Sequence, residues 1–466
     1  MHRTLFATSS LIAASSLFAL FAFASVAFGD DYSIVVSKKT LADPQWNKVV
    51  ETLKQRHQGT VVSYDSLAEA LPALQEQFPR HTCFVATREE ASRKFVADVH
   101  RLTRKYDDDP YTDTLWGILT GYDAANALEI ASTKKPLVVQ RVASGTEVAL
   151  DRCKEGIWYC ELEKHRMVRK KVGETQAQEK GPADTTKALA DTLADYKADL
   201  FVTSGHATER NWQIGFSYRN GYFTSKSGQL YGVDTEKKKF KINSTNPKVY
   251  MAVGNCLMGH VDGPDAMALA FMKSARVNQM VGYTVLTWYG YGGWGCLDYF
   301  VEQPGRYTFA EAFHANHHAL VHRLETEYPK LARVNVLPGK TTGYNEGGGL
   351  LHDRDVVAFY GDPAWNSSMA DGALNWEQKL TQKGDTYTLE IVPLRGPDTF
   401  HPVNKNGAQR GWRPIVHFLP HRIKDIKVTA GAELSPVITD DFILLPNPRE
   451  HRDGAKYRVE FTAKSR

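Results

Sequence analysis

From Tyr32 to Tyr360 the chain repeats one pattern, a short β-rich run followed by a segment with apolar residues at helical spacing. Tyr32–Ser37, Thr60–Tyr64, Thr82–Thr87 and Leu115–Thr120 read as strands. Trp46, Val49, Val50 and Leu53 recur on one helix face before Gly59, and Phe95, Val96, Val99 and Leu102 on another. A helix from Asp123 to Ser132 completes that series. The alternation resumes with a helix bearing Leu189, Leu193 and Tyr196 and the strand Asp199–Ser204. Strands at Val249–Val253, Gln279–Tyr283 and Val356–Tyr360 follow, with helices at Pro264–Ser274 and Phe309–Glu325. Such repetition builds an α/β fold, a mostly parallel sheet flanked by helices on both faces.

Two stretches depart from it. Asn211 to Pro247 is polar and rich in Gly and Lys, as hairpins are. Glu161 to Lys180 is charged and reads as a solvated helix face or loop. Beyond Trp376 the runs become short and alternating between Pro, Gly, Asn and Asp clusters, as in a small antiparallel β-sandwich. The expected division is a signal peptide over 1–29, an α/β unit over 30–375 and a sandwich over 376–466. Within the α/β unit, 30–145 and 146–375 are candidate subdomains.

The leader sets the expected compartment. Met1-His2-Arg3 precedes an apolar run from Leu5 to Phe28, with no charge before Asp30. Ser25-x-Ala27 supplies the small residues of a cleavage site near Ala27 or Gly29, so a secreted, periplasmic or cell-surface protein is expected. An uncleaved anchor is the competing reading, because the run is long enough to span. No later segment approaches spanning length, so no stable span is expected in the mature chain. The net charge of +4 gives no reason to expect a nucleic-acid partner. Five cysteines are too few for a disulfide framework, and an odd number leaves one thiol unpaired.

Chemistry concentrates at two strand ends. Leu200-Phe-Val-Thr-Ser-Gly-His206 brings a histidine to the end of one apolar run, and Val249-Tyr-Met-Ala-Val-Gly-Asn-Cys256 brings a cysteine to the end of another. In open α/β sheets the crevice beyond the carboxyl ends of the strands is where sites are built. Singly, such a Cys is a small buried hydrophobe and such a His a satisfied polar residue. Together they form a nucleophile and its base, with main-chain N–H groups of Ala207 and Cys256 as an oxyanion hole. They lie fifty residues apart, His first, which is the caspase-type order.

The blocks Gly-His206-Ala-Thr-Glu and Ala-Val-Gly-Asn-Cys256-Leu-Met-Gly resemble those of the gingipain-type cysteine peptidases, in the caspase-like clan. The acidic run Asp107–Asp113 with the strand–helix that follows it through Gly121–Leu128, the stretch Ala266–Tyr283 and the closing Phe359-Tyr-Gly-Asp-Pro-Ala364 are similar to further parts of that family, over roughly residues 32–370. The resemblance implies a caspase-like α/β domain, a C-terminal immunoglobulin-like sandwich, and a cysteine endopeptidase acting on polypeptides through Cys256 and His206. A sortase-like transpeptidase using the same dyad, or a non-catalytic surface or binding protein, are the alternatives. Trp288 looks like the family's pocket-wall tryptophan; an ordinary core or loop aromatic is the other reading. The family usually carries Gly after the catalytic His, where this chain has Ala207.

No cofactor is required for such chemistry. Asp107–Asp113 offers carboxylates for a structural calcium ion, and a solvated turn accounts for the same residues. His314, His318 and His322 share a helix face but lack the acidic partner of a zinc-peptidase motif, so no metal site is assigned to them. Cys153 and Cys160 are a candidate disulfide in an oxidising compartment. Cys83 is expected in the core, and Cys296 has no assigned role.

Overall fold

A computed structural model describes residues 31–466 apart from Asp453 and Lys456, so the leader lies outside the described residues. Local chemistry sets the first long helix, Pro44–His57, which follows the short helix Lys38–Ala42. Asp43 accepts from Gln45 N at 2.8 Å and Trp46 N at 3.3 Å, Pro44 occupies the first turn, and Gln58 stops the helix in the left-handed region at φ 53°. Its buried stripe is Trp46, Val49, Val50 and Leu53, each worth about 1.5–3 kcal/mol of burial.

One twelve-stranded sheet carries the α/β part. Its first edge is Thr60–Tyr64, followed in space by Tyr32–Ser37, His81–Val85, Leu115–Leu119 and Val357–Tyr360. Val277–Tyr283, Lys248–Ala252, Leu200–Thr203 and Arg141–Ser144 form the next four, then Glu155–Tyr159, Arg166–Lys170 and Ala177–Lys180. Pairing is parallel through the body of the sheet, with Val357–Tyr360 antiparallel to Val277–Tyr283 and the last three strands antiparallel to one another. Strands at its centre are buried on both faces, which is why they read as unbroken apolar runs.

The charged stretch is therefore a hairpin, Arg166–Lys170 with Ala177–Lys180, and not a helix face or loop. Met167 and Val168 are buried while the outermost strand is wholly exposed, so its charges sit on a sheet edge, where they discourage strand addition. Asn211–Ile242 forms a separate four-stranded antiparallel sheet, as its composition predicts. Cys153 and Cys160 do not pair. They flank opposite ends of the strand Glu155–Tyr159, roughly 20 Å apart at about 3.3 Å per residue, where a disulfide needs less than about 7 Å.

After Trp376 two antiparallel sheets of four and three strands face each other. Tyr387, Leu389, Val459 and Phe461 of the first meet Ile415, Ile443 and Leu445 of the second in one apolar cluster. Val416, Phe442 and Leu444, on the other side of the smaller sheet, join the large α/β core instead. Among the described residues no helix is long and apolar enough to cross a membrane.

Candidate active site

The strands Leu200–Thr203 and Lys248–Ala252 are parallel neighbours with Thr203 opposite Ala252, so both release their chains at the same end of the sheet. A short polar clasp then holds the two loops together. Val253 N donates to Thr203 O at 3.0 Å, Thr203 Oγ1 to Asn255 Oδ1 at 2.6 Å, and Asn255 Nδ2 to Gly205 O at 3.0 Å. The residue before Cys256 is thereby tied to the residue before His206. His206 is exposed, its ring stacked on Phe216 at 4.7 Å, and among the described residues no hydrogen bond joins it to Cys256.

Cys256 is half-buried, and the other four thiols are buried. Thr287 N donates to its Sγ at 3.3 Å, and Thr287 O lies 3.7 Å from the same sulfur. Leu257, the next residue, sits in the left-handed region at φ 60°, a conformation that costs a non-glycine residue energy and clusters at functional turns. Its N–H is spent on Val285 O at 3.0 Å, and Gly259 N on Tyr283 O at 2.9 Å, which lace the cysteine loop to the neighbouring strand end. Among the described residues the N–H groups of Cys256 and Ala207 have no backbone acceptor, so both remain available to an incoming oxygen.

Trp288 follows the threonine that brackets the thiol. It is half-buried, its ring 5.0 Å from Tyr344 and 5.8 Å from His352, and its Nε1 has no partner among the described residues. Leu286 and Tyr344, 65% and 80% exposed, give the same rim an apolar surface.

Glu161 is a site candidate that pattern reading places in the charged stretch. It stands just past the strand Glu155–Tyr159 and is buried. Its Oε1 accepts from Ser204 Oγ at 3.3 Å, from Asn406 Nδ2 at 3.5 Å and from Thr146 Oγ1, while its Oε2 has no partner among the described residues. Glu161 O also accepts from Phe216 N at 2.6 Å, and Phe216 is the residue stacked on His206. Burial pushes its carboxyl above the ordinary range. The available signal was its position at a strand end, the same rule that singles out His206 and Cys256.

The other sequence candidates serve the core or lie elsewhere. His314 Nε2 accepts from Trp116 N at 2.9 Å, His317 reaches Arg354 O at 3.0 Å, and His318 stacks on Phe442 at 4.1 Å, so these are core side chains. Cys296 is buried on the helix Tyr291–Phe300, beside Gly292 O. Asp107, Asp109 and Asp113 do converge, one carboxylate oxygen of each within 4.8 Å of the others. Burial, then mutual repulsion, raises Asp109 to about 7 and Asp113 to about 10.

No protein-family profile and no curated protein matches the chain. Among solved structures, the crystal structure of gingipain R, an Arg-specific cysteine proteinase, is similar over 93% of this chain and 95% of its own, at 11% identity and a TM-score of 0.45. A second, described only as a protease, is similar over 94% of this chain and 95% of its own, at 10% identity and a TM-score of 0.42.

Proposed function

We propose that the protein is an exported cysteine endopeptidase. The clasp that ties the Cys256 loop to the His206 loop on adjacent buried strands carries this reading. His206 takes the thiol proton, and the Cys256 sulfur adds to the scissile carbonyl carbon. The oxyanion that forms is held by the N–H groups of Cys256 and Ala207. Collapse breaks the C–N bond, the amine leaves with the proton from His206, and a thioester remains on Cys256. Water, deprotonated by His206, then releases the acid and restores the thiol. The Ala207 methyl narrows the approach to one of the two oxyanion donors.

Glu161, an acid whose Oε2 has no partner among the described residues and which joins His206 through the Phe216 backbone hydrogen bond and ring stack, favours a basic side chain next to the cleaved bond. The test is hydrolysis of a peptide panel, with products identified by mass. Cleavage beside Arg or Lys is expected, and Glu161→Gln is expected to lower kcat/KM on those peptides by about tenfold or more. Loss on neutral peptides to the same degree, or no loss at all, would count against this role. A product joined to an added amine would favour the transpeptidase alternative, and no turnover of any peptide the non-catalytic one.

The acidic loop is assigned the structural calcium role. Because the folded carboxyl of Asp113 sits far above its unfolded value, ionising it costs stability as pH rises from about 4 towards 10. Asp113→Asn keeps an acceptor for Tyr106 N, which now donates at 2.8 Å. With a chelator at pH 8 this variant is expected to be more stable than the parent by about 2–4 kcal/mol, read by denaturant unfolding. Excess calcium is expected to reverse the order, since the variant lacks a charged ligand. Identical curves with and without calcium would remove the ion from the account.

A further inference from the structure

We infer that residues 401–414, an arm of the C-terminal sheets, complete the candidate active site by positioning both the Cys256 loop and Glu161. The inference rests on the site reading above and adds a remote part of the chain to it. The arm joins a short 3₁₀ turn, Gly396–Phe400, to the strand Ile415–Phe418. It has no regular structure, and a loop of this length inside a compact body ordinarily has work to do.

Its backbone is fixed by buried charge. The Arg410 side chain is 2% exposed, donates to Asp298 Oδ1 at 2.7 Å, and also contacts Glu302. Arg413, 4% exposed, donates to Asp298 Oδ2 at 3.0 Å and lies 3.6 Å from the Tyr291 ring centroid. Gly411 N donates to the same Asp298 oxygen at 3.0 Å. Both arginines also hold the arm itself, Arg410 through Asn406 O at 2.8 Å and Arg413 through Gln409 O at 2.6 Å. Asp298, Glu302 and Tyr291 lie on or just past the helix Tyr291–Phe300.

So anchored, the arm reaches the site twice. Asn406 Nδ2 donates to Thr146 Oγ1 at 3.0 Å and to Glu161 Oε1 at 3.5 Å, in the crevice where Ser204 also meets Glu161. Next to it, Gly407 lies flat on the face of Trp294 at φ 104°, and a Cβ there would run into the indole. The same indole also meets Gly254, where a Cβ would lie 2.6 Å from Trp294 Nε1. One tryptophan is thus pressed between the arm and the turn two residues before Cys256. Simple packing of a C-terminal unit needs neither a side chain on the acidic floor nor a wedge against the nucleophile turn.

The test uses the full chain and reads the rate at which iodoacetamide alkylates Cys256, located by peptide mapping, between pH 5 and 9. It also reads kcat and KM on arginine peptides. Gly407→Ala is expected to shift Trp294 and lower the alkylation rate at neutral pH about fivefold or more, while Gly407→Ala with Trp294→Phe recovers most of it because the smaller ring clears the methyl. Asn406→Ala is expected to raise KM for arginine peptides about tenfold with kcat changed less than about twofold. If Gly407→Ala does not fold, the Asn406→Ala arm decides on its own. Folded variants with parental alkylation rate, pH profile and KM would overturn the inference while leaving the peptidase reading in place. A parent that cleaves no peptide, but whose Cys256 alkylation still responds to Gly407→Ala and its rescue, would overturn the peptidase reading and keep the arm.

Discussion

Replacing Cys256 by alanine is expected to leave a folded chain without peptidase activity, a loss of about 10³-fold or more in kcat. The remaining four thiols cannot stand in. Cys83, Cys153, Cys160 and Cys296 are all buried, and burial pushes Cys153 and Cys296 up to about 12. The stability cost of Cys256→Ala is expected to be small, within about 1 kcal/mol, because the residue is half-buried and the hydrogen bonds of its sulfur among the described residues are to Thr287 backbone. His206→Ala is expected to cost a comparable factor, since a nucleophile and its base act as a unit and their losses do not add. Active-site titration with circular dichroism on both variants checks this. Residual activity within about tenfold of the parent in Cys256→Ala would remove the thiol from the reaction.

The second large effect is acid lability. His81, His100, His314, His317 and His318 are held neutral by burial, His81 and His318 pushed down to about 3 and His100 to about 4. The unfolded chain takes up protons at about 6.5, so the stability these groups carry is complete above that pH and drains as pH falls towards 3. For His318 alone the loss between neutral pH and pH 4 is about 3 kcal/mol. Carboxyls raised by burial, Asp113 above all, act in the opposite sense and blunt the total. A difference measurement avoids that offset. His318 makes no hydrogen bond among the described residues and stacks flat on Phe442, so phenylalanine fits its place. His318→Phe is expected to lose about 3 kcal/mol less stability than the parent between pH 7.5 and 4, read by urea unfolding at each pH. Parallel pH profiles would show that His318 is not neutral in the folded chain.

The central strands and their covering helices were legible because burial on both faces, or on one helical face, leaves a periodic apolar trace. Trp46, Val49, Val50 and Leu53 are such a trace, and each is buried. The helix Tyr291–Phe300 was not, since its first five residues include three glycines, which weaken any helical pattern. Packing explains them, because a Cβ on Gly293 would strike Val253 O just before the cysteine turn, one on Gly295 the Asn316 side chain, and one on Gly292 the Val357 side chain. His206 and Cys256 could be found from their strand ends. Glu161 was hidden by its charged neighbours, whose hairpin places them on an edge while Glu161 turns inward. The arm could not be read at all. Asn406 and Glu161 are 245 residues apart, and nothing local to Asn406 encodes that meeting.

The proposed reaction requires Cys256 to be one uniquely reactive thiol served by His206. Treatment of the native protein with a peptidyl chloromethyl ketone ending in arginine, followed by intact-mass analysis and peptide mapping, tests this directly. One adduct is expected, on Cys256, forming about tenfold or more slowly in His206→Ala. No adduct, an adduct on another residue, or an unchanged rate in His206→Ala would contradict it.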